Sequence, residues 1–256
     1  MPELQIHQIL ALGDNYIYLL HDPRSGATAV VDPAEAEPVL AVLEETGWRL
    51  THILITHHHH DHTDGNLPLK ARTGAVVVGA RADRERIPGI DIMLGGEDRL
   101  VFGDMTVEIL EVPGHTSGHL AYWFKDAAAL FCGDTLFALG CGRVFEGTPE
   151  QMWESLRKLR ALPPETRVFC AHEYTAANAR FAVTVDPSNA GLLDRKRRVD
   201  ALRAEGKPTV PSVMAEEVAT NPFLRADAPE LQRAIGLEGH APAEVFAEVR
   251  RRKNAF

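Results

Sequence analysis

Residues 56–62 read Thr-His-His-His-His-Asp-His, and five of the chain's 12 histidines fall in this run. An imidazole is costly to bury unpaired, and five protonated together would repel one another. A metal cation makes such a cluster favourable, because neutral imidazole is a good ligand for zinc, iron and similar ions. The run follows Thr51-His52-Ile53-Leu54-Ile55, a β-branched apolar segment that reads as a buried strand ending at Thr56. It precedes Thr63-Asp64-Gly65-Asn66, which reads as a turn or helix start. The histidines are therefore expected in a loop at a strand end. A histidine run can also be an affinity tag or a solvated loop. A tag would be terminal, and this run is internal and flanked by a core strand.

Outward from the run, residues 4–10, 16–20 and 27–31 read as strands, separated by turns at Gly13-Asp14-Asn15 and at residues 21–26. Residues 38–43 are helical in composition and stop at Gly47. Beyond the run, a short helix is expected at 66–72, with strands at 75–79, 99–102, 105–112, 120–124, 128–131 and 167–170. Thr148-Pro149-Glu150-Gln151 is a helix start: an N-cap Thr, Pro at the first helical position and Gln at the capping-box position. After Tyr174 the strand signal disappears. Residues 176–181, 190–204, 213–219, 230–235 and 243–252 look helical, with breaks at Pro208, Pro211, Pro222 and Pro242. The shift predicts a mixed α/β domain over 1–173 and a helical, substrate-binding domain over 174–256. Two successive β-rich halves in the first domain allow a sandwich of two sheets covered by helices.

With 256 residues, 45% hydrophobic and 25% charged, the composition is that of an ordinary globular protein. The formal net charge of −9 argues against general nucleic-acid or membrane-surface binding. Cys132, Cys141 and Cys170 are odd in number and lack CxxC spacing, a reduced, cytoplasmic usage rather than a disulfide framework. No basic stretch followed by a long apolar one marks a secretion signal, and no window has 18 uninterrupted apolar residues.

Three later positions share a feature with the run. His115 (in Pro113-Gly114-His115-Thr116-Ser117-Gly118-His119), Asp134 (in Cys132-Gly133-Asp134-Thr135) and His172 (in Ala171-His172-Glu173-Tyr174) each follow an expected strand, beside small residues. With His57, His59, Asp61 and His62 they make seven ligands. One ion cannot use seven. Two can if a carboxylate bridges them, about 3.5–4 Å apart.

This pattern resembles the metallo-β-lactamase superfamily, whose marker His-x-His-x-Asp-His is matched by residues 57–62 in one register only, since His57 and His59 leave Asp61 two residues on. The resemblance implies an αββα sandwich. It implies that His57, His59 and His115 hold a first divalent metal, that Asp61, His62 and His172 hold a second, and that Asp134 bridges them. His58 and His60 become spacers that face away, and His119 supports structure. Zinc, iron and manganese all suit such ligands.

Asp14-Asn15-Tyr16, residues 113–119, residues 141–148, His172-Glu173-Tyr174, Asn221-Pro222-Phe223-Leu224-Arg225 and Arg250-Arg251-Arg252-Lys253 resemble glyoxalase II (the hydroxyacylglutathione hydrolases) in particular, over nearly the whole chain. By that resemblance the reaction is hydrolysis of S-D-lactoylglutathione to D-lactate and glutathione by a metal-bridging hydroxide, the second step of methylglyoxal detoxification. Asp61 and Asp134 orient the water while ligating metal. Arg250 and Lys253, at i and i+3, hold the glycine carboxylate, with Arg143 and Tyr174 contributing; Phe145, His172 and Glu173 complete the substrate contacts. Phe145 stands where some members have Tyr, and Arg143 where some have Lys. A cytoplasmic monomer without nucleic-acid or membrane partners is expected. The alternative is a mono-iron persulfide dioxygenase of the same superfamily, which needs one metal site and no basic C-terminal helix.

Overall fold

Short runs of Val, Ile, Leu and Tyr dictate the N-terminal strands. The structure, a computed structural model, describes residues 4–256. Its chain divides into two compact units. One runs through Glu111 and adds Thr116–Gly133; the other comprises Val112–His115 and Asp134–Phe256.

In the first unit, β1 (Gln5–Ala11), β2 (Asn15–His21) and β3 (Thr28–Val31) are antiparallel neighbours. Strands β4 (His52–Leu54), β5 (Val76–Ala80) and β6 (Ile90–Leu94) extend the sheet in parallel. Their crossovers carry α1 (Glu37–Thr46), the single turn α2 (His60–Thr63) and α3 (Asn66–Thr73). Helix α1 stops where expected, because Gly47 takes the left-handed conformation at φ 71° and its N–H caps Leu43. Val39 and Leu43 of α1 and Leu69 of α3 bury themselves against Val30, Ile53 and Val77 on one face of this sheet. Strands β7 (Arg99–Phe102), β8 (Met105–Glu111), β9 (Leu120–Phe124) and β10 (Ala129–Gly133) form an antiparallel sheet facing the other side. Tyr122 of β9 donates its hydroxyl to the Ile55 carbonyl at 2.8 Å, and the ring of Tyr18 on β2 lies 5.4 Å from that of Phe131 on β10. Covered on both faces, β2 is buried at nearly every position, as a sandwiched strand must be.

Strand β6 is not anticipated by the sequence reading. Its pattern Ile90-Asp91-Ile92-Met93-Leu94 alternates, but Asp91 breaks the apolar run. The structure uses that residue: the register shifts between Val77 and Val78, and the Asp91 carboxylate accepts the Val77 N–H at 2.9 Å there.

In the second unit, β11 (Leu136–Phe137) and β12 (Gly140–Cys141) make a tight hairpin. Helix α4 (Pro149–Arg160) begins with the expected capping box, Thr148 and Gln151 each bonding the other's backbone N–H. Strand β13 (Arg167–Cys170) is followed by α5 (Thr175–Val185) and α6 (Ala190–Ala204). The expectation that no strand follows Tyr174 is corrected. Between Pro211 and α7 (Met214–Thr220), Ser212–Val213 form β14, which pairs antiparallel with β13. Two residues are too few for a periodic signal, so pairing with an existing strand decides it. Helices α8 (Pro229–Ile235) and α9 (Pro242–Asn254) complete the unit, with Trp153 of α4 facing Phe246 of α9 at 6.4 Å between rings.

Candidate metal centre and cavity

The histidine run is not a loop throughout, as expected from sequence. Its first part is extended, with His59 at φ −62° and ψ 148°; its second part is the helical turn α2, which Thr63 supports by donating its hydroxyl to the His59 carbonyl at 3.1 Å. This change of period explains the motif. In extended chain, alternate residues share a side, so His57 and His59 go together and His58 goes opposite. The turn then carries Asp61 and His62 inward while His60 stays outside, its side chain 95% exposed beside Asp64. His58 does face away, into a buried partner: its Nδ1 lies 3.0 Å from Asp83, which Arg86 also grips.

Within the first unit, His57 Nε2 and His59 Nδ1 are 3.0 Å apart, and His62 Nε2 is 3.6 Å from Asp61 Oδ2. Asp32 was not singled out from the sequence, yet it organises this half of the site. Fully enclosed after β3 and in the left-handed region at φ 48°, it accepts the Thr56 N–H at 2.8 Å and the Thr56 hydroxyl at 2.6 Å. Its second oxygen is also 3.1 Å from His62 Nδ1. That contact suits a proton on Nδ1 and leaves the Nε2 lone pair for a metal, the usual arrangement behind a ligating imidazole. Asn15 donates to the carbonyl and carboxylate of Asp61, at 2.9 and 3.2 Å, which fixes Asp61's direction. The signals in sequence were Asp-Pro after a buried strand and Asn at a strand start, and both are too common to be read alone.

Within the second unit, the Asp134 carboxylate stands between two imidazoles. Oδ2 is 3.5 Å from His115 Nε2, and Oδ1 is 3.4 Å from His172 Nε2. Each oxygen addresses a different histidine at a separation longer than a good hydrogen bond, an arrangement suited to a cation on either side. His115 Nδ1 donates to the Arg143 carbonyl at 2.8 Å, so its Nε2 lone pair is the one left for a metal. Gly142 is required here: a Cβ would lie 2.0 Å from the Asp134 carbonyl oxygen and 3.0 Å from His115 Nδ1. Imidazole nitrogens and carboxylate oxygens, oriented from behind by carbonyl and carboxylate acceptors, fit divalent metal in both units. His119, with Nδ1 3.0 Å from the Leu120 carbonyl, is stacked on His57.

His115 and Asp134 also line a cavity of about 600 Å³ in the second unit. Phe145, 59% exposed, and Tyr174 contribute aromatic walls, and the Tyr174 ring is stacked flat on His172 at 4.7 Å. Arg143, Arg250 and Lys253 line the same cavity, as does Arg180, which the sequence reading missed. Arg250 donates to the Cys141 carbonyl at 2.9 Å and Lys253 to the Ala177 carbonyl at 3.2 Å. Burial and the neighbouring Arg250 and Arg180 push the Lys253 ammonium down to about 8. Glu173 is placed elsewhere. It is absent from the cavity wall, and its two oxygens accept the Thr209 N–H at 2.8 Å and the Thr209 hydroxyl at 2.6 Å. The cysteines are all buried. Burial pushes the Cys141 thiol up to about 11 and that of Cys170 to about 12, which removes both as thiolate nucleophiles at neutral pH.

Residues 11–172 match the family model described as the metallo-beta-lactamase superfamily, and residues 173–256 the one described as hydroxyacylglutathione hydrolase C-terminus. A hydroxyacylglutathione hydrolase of Methylococcus capsulatus is 64% identical over 253 residues, 99% of each chain. The chain belongs to the hydroxyacylglutathione hydrolase family. Among solved structures, ETHE1 from Myxococcus xanthus is similar at 25% identity and a TM-score of 0.68, over 98% of this chain and 99% of that one. TTHA1623 in a di-iron-bound form is similar at 31% identity and a TM-score of 0.55, over 64% of this chain and 90% of that one. The fold is the family's α/β sandwich of mixed sheets with a C-terminal helical region, in agreement with the resemblance seen in the sequence. Among the described residues no helix is long and apolar enough to cross a membrane.

Proposed function

We infer that this chain hydrolyses thioesters of glutathione, taking S-D-lactoylglutathione and water to D-lactate and glutathione in the glyoxalase pathway. One observation carries the reading beyond family membership: His115 and Asp134, which fit metal, line the same cavity as Arg143, Arg250 and Lys253, which suit an anionic thiol carrier. We propose that His57, His59 and His115 hold one metal, that Asp61, His62 and His172 hold another, and that Asp134 is shared. Zinc is the first candidate, with iron or manganese as substitutes. Residues 1–173 would then be the catalytic domain and 174–256 the substrate-binding one, in a cytoplasmic monomer. The dioxygenase alternative is not favoured, because the relative that is 64% identical is named a hydrolase.

Bound divalent metal supplies Lewis acidity toward the thioester carbonyl and lowers the pKa of water to about 7. The chain's own residues do the rest. Asp61, aimed by Asn15, and Asp134 accept hydrogen bonds from the attacking water and orient it. The water gives up one proton as its oxygen adds to the carbonyl carbon. The C–S bond then breaks, the thiolate leaves with the bonding pair and takes up a proton to give glutathione, and the lactic acid released ionises to D-lactate. A thiolate leaves readily, so no strong general acid is needed and no cysteine need act. Arg250 and Lys253 bind the glycine carboxylate, while Arg143, Phe145 and Tyr174 hold the thiol moiety. Thiol release from S-D-lactoylglutathione, run beside elemental analysis of the same sample, tests this. Metal-loaded protein that releases no thiol would overturn it.

Lys253 predicts a pH dependence. Its ammonium, shifted down to about 8, is present below that pH and lost as pH rises through it. Attraction for the substrate carboxylate goes with it, so kcat/KM should fall between pH 7 and 9 mainly through KM. Lys253→Arg, whose charge persists to high pH, should flatten that fall. An unchanged profile in the variant would remove Lys253 from recognition.

A further inference from the structure

Many basic side chains elsewhere in the second unit are matched with acids. Arg160 pairs with Asp227, Arg195 with Glu216, Lys196 with Asp200, Arg225 with Asp186 and Arg252 with Glu248. The four cations on the cavity wall are different. Arg250 and Lys253 donate to carbonyl oxygens, and among the described residues neither Arg143 nor Arg180 has an acidic side chain as partner. Among the described residues, Asp134 is the one acidic side chain on that wall. Like charges gathered without counterions repel; burial first, and then the nearby Arg250 and Arg180, hold the Lys253 ammonium below its usual range. Such an arrangement costs free energy, and an anion relieves it.

The cations are also divided between walls. Arg250 and Lys253 lie one turn apart on α9, near enough to share one carboxylate. Arg180 stands on α5 and is exposed. We propose that Arg180 is a specificity-determining residue: it binds a second carboxylate, that of the γ-glutamyl end of the thiol carrier, so that the cavity selects carriers bearing a carboxylate at each end. This rests on the glutathione-thioester reading. A tripeptide carrier has its two carboxylates at opposite ends, too far apart for one adjacent pair of cations. A guanidinium meets a carboxylate in bidentate fashion, which makes arginine the effective residue there.

The test is a substrate-truncation cycle. Wild type and Arg180→Ala are assayed with S-D-lactoylglutathione and with S-D-lactoyl-N-acetylcysteinylglycine, which lacks the γ-glutamyl residue and whose blocked amine prevents S-to-N acyl transfer. The expected result is a KM raised roughly tenfold for the glutathione thioester with kcat nearly kept, and little change for the truncated one. Arg180→Lys should recover part of the loss, and added salt should shrink the difference because the group is exposed. Arg180→Ala with unaltered KM for the glutathione thioester, or an equal rise with both carriers, would overturn the assignment. Failure of the wild type to cleave either thioester would instead strike the reading of function. Thermal unfolding of the variant, expected to match wild type, separates recognition from folding.

Discussion

Asp134→Ala is expected to lose metal and thioesterase activity together. Each oxygen of this carboxylate addresses a different imidazole, His115 at 3.5 Å and His172 at 3.4 Å, so no single neighbour can replace it. Loss of a partner behind a metal ligand already costs about 10–100-fold in affinity or activity. Loss of a shared ligand should cost more, on the order of 10³-fold in kcat/KM. Elemental analysis after gel filtration reads the metal, and thiol release reads the activity. Lys253→Ala is the control: its Nζ bonds the Ala177 carbonyl on the cavity wall, so metal content should stay and KM should rise. Equal metal loss in both variants would contradict the division between ligand and recognition residue. Asp134→Ala with full metal content would remove Asp134 from the centre.

The largest effect on stability is expected from Glu217→Ala. Glu217 is fully buried, pairs with Arg195 (3% exposed), and accepts the Leu139 N–H at 3.0 Å and the Asn221 side-chain amide at 3.1 Å. Breaking a buried ion pair from one side leaves an uncompensated charge, typically costing about 3–5 kcal/mol. Arg195 keeps Glu216 at 3.1 Å and Thr220 at 2.8 Å, which places the loss near the lower figure, about 3 kcal/mol. In a chain of this size that is a fall in melting temperature of roughly 6–12 °C. The effect should reach the cavity as well. Leu139 sits at φ 58° between β11 and β12, and the hairpin carries Phe137 and Cys141 into the cavity wall. Calorimetry of Glu217→Ala, and of Glu217→Leu combined with Arg195→Met, decides the cause. The double variant removes both charges and should recover much of the loss; if it is as unstable as the single one, the buried charge is not the origin.

Most strands and helices were legible because their patterns are local. The capping box at Thr148 and the stop at Gly47 are set by residues within one turn, and both formed as read. Two of the elements not anticipated depend on distant partners. Ser212–Val213 is a strand only because β13 offers an edge, and Ile90–Leu94 survives its Asp91 because Val77 needs an acceptor there. The histidine run shows the same limit on a smaller scale. The resemblance supplied an expected ligand order, but the switch from extended chain to helical turn after His59 was not legible, since nothing in a run of four identical residues marks it.

The sequence by itself pointed to the family and supplied the residue types, among them His57, His59, Asp61 and His62, that suit metal and an anionic carrier. Those follow from chemical identity and spacing along the chain, which folding does not alter. Only the tertiary structure decided what stands behind and beside them. Asp32 became the buried acceptor for His62 and Thr56, Asp83 the partner of His58, Glu173 a clamp on Thr209, and Arg180 a cation on the cavity wall. Each of these depends on contact between side chains 24 or more residues apart, or on which wall of a cavity a helix presents. A carboxylate or guanidinium looks the same in sequence whether it ends against solvent, a counterion or a ligand; its surroundings in the folded chain assign the role.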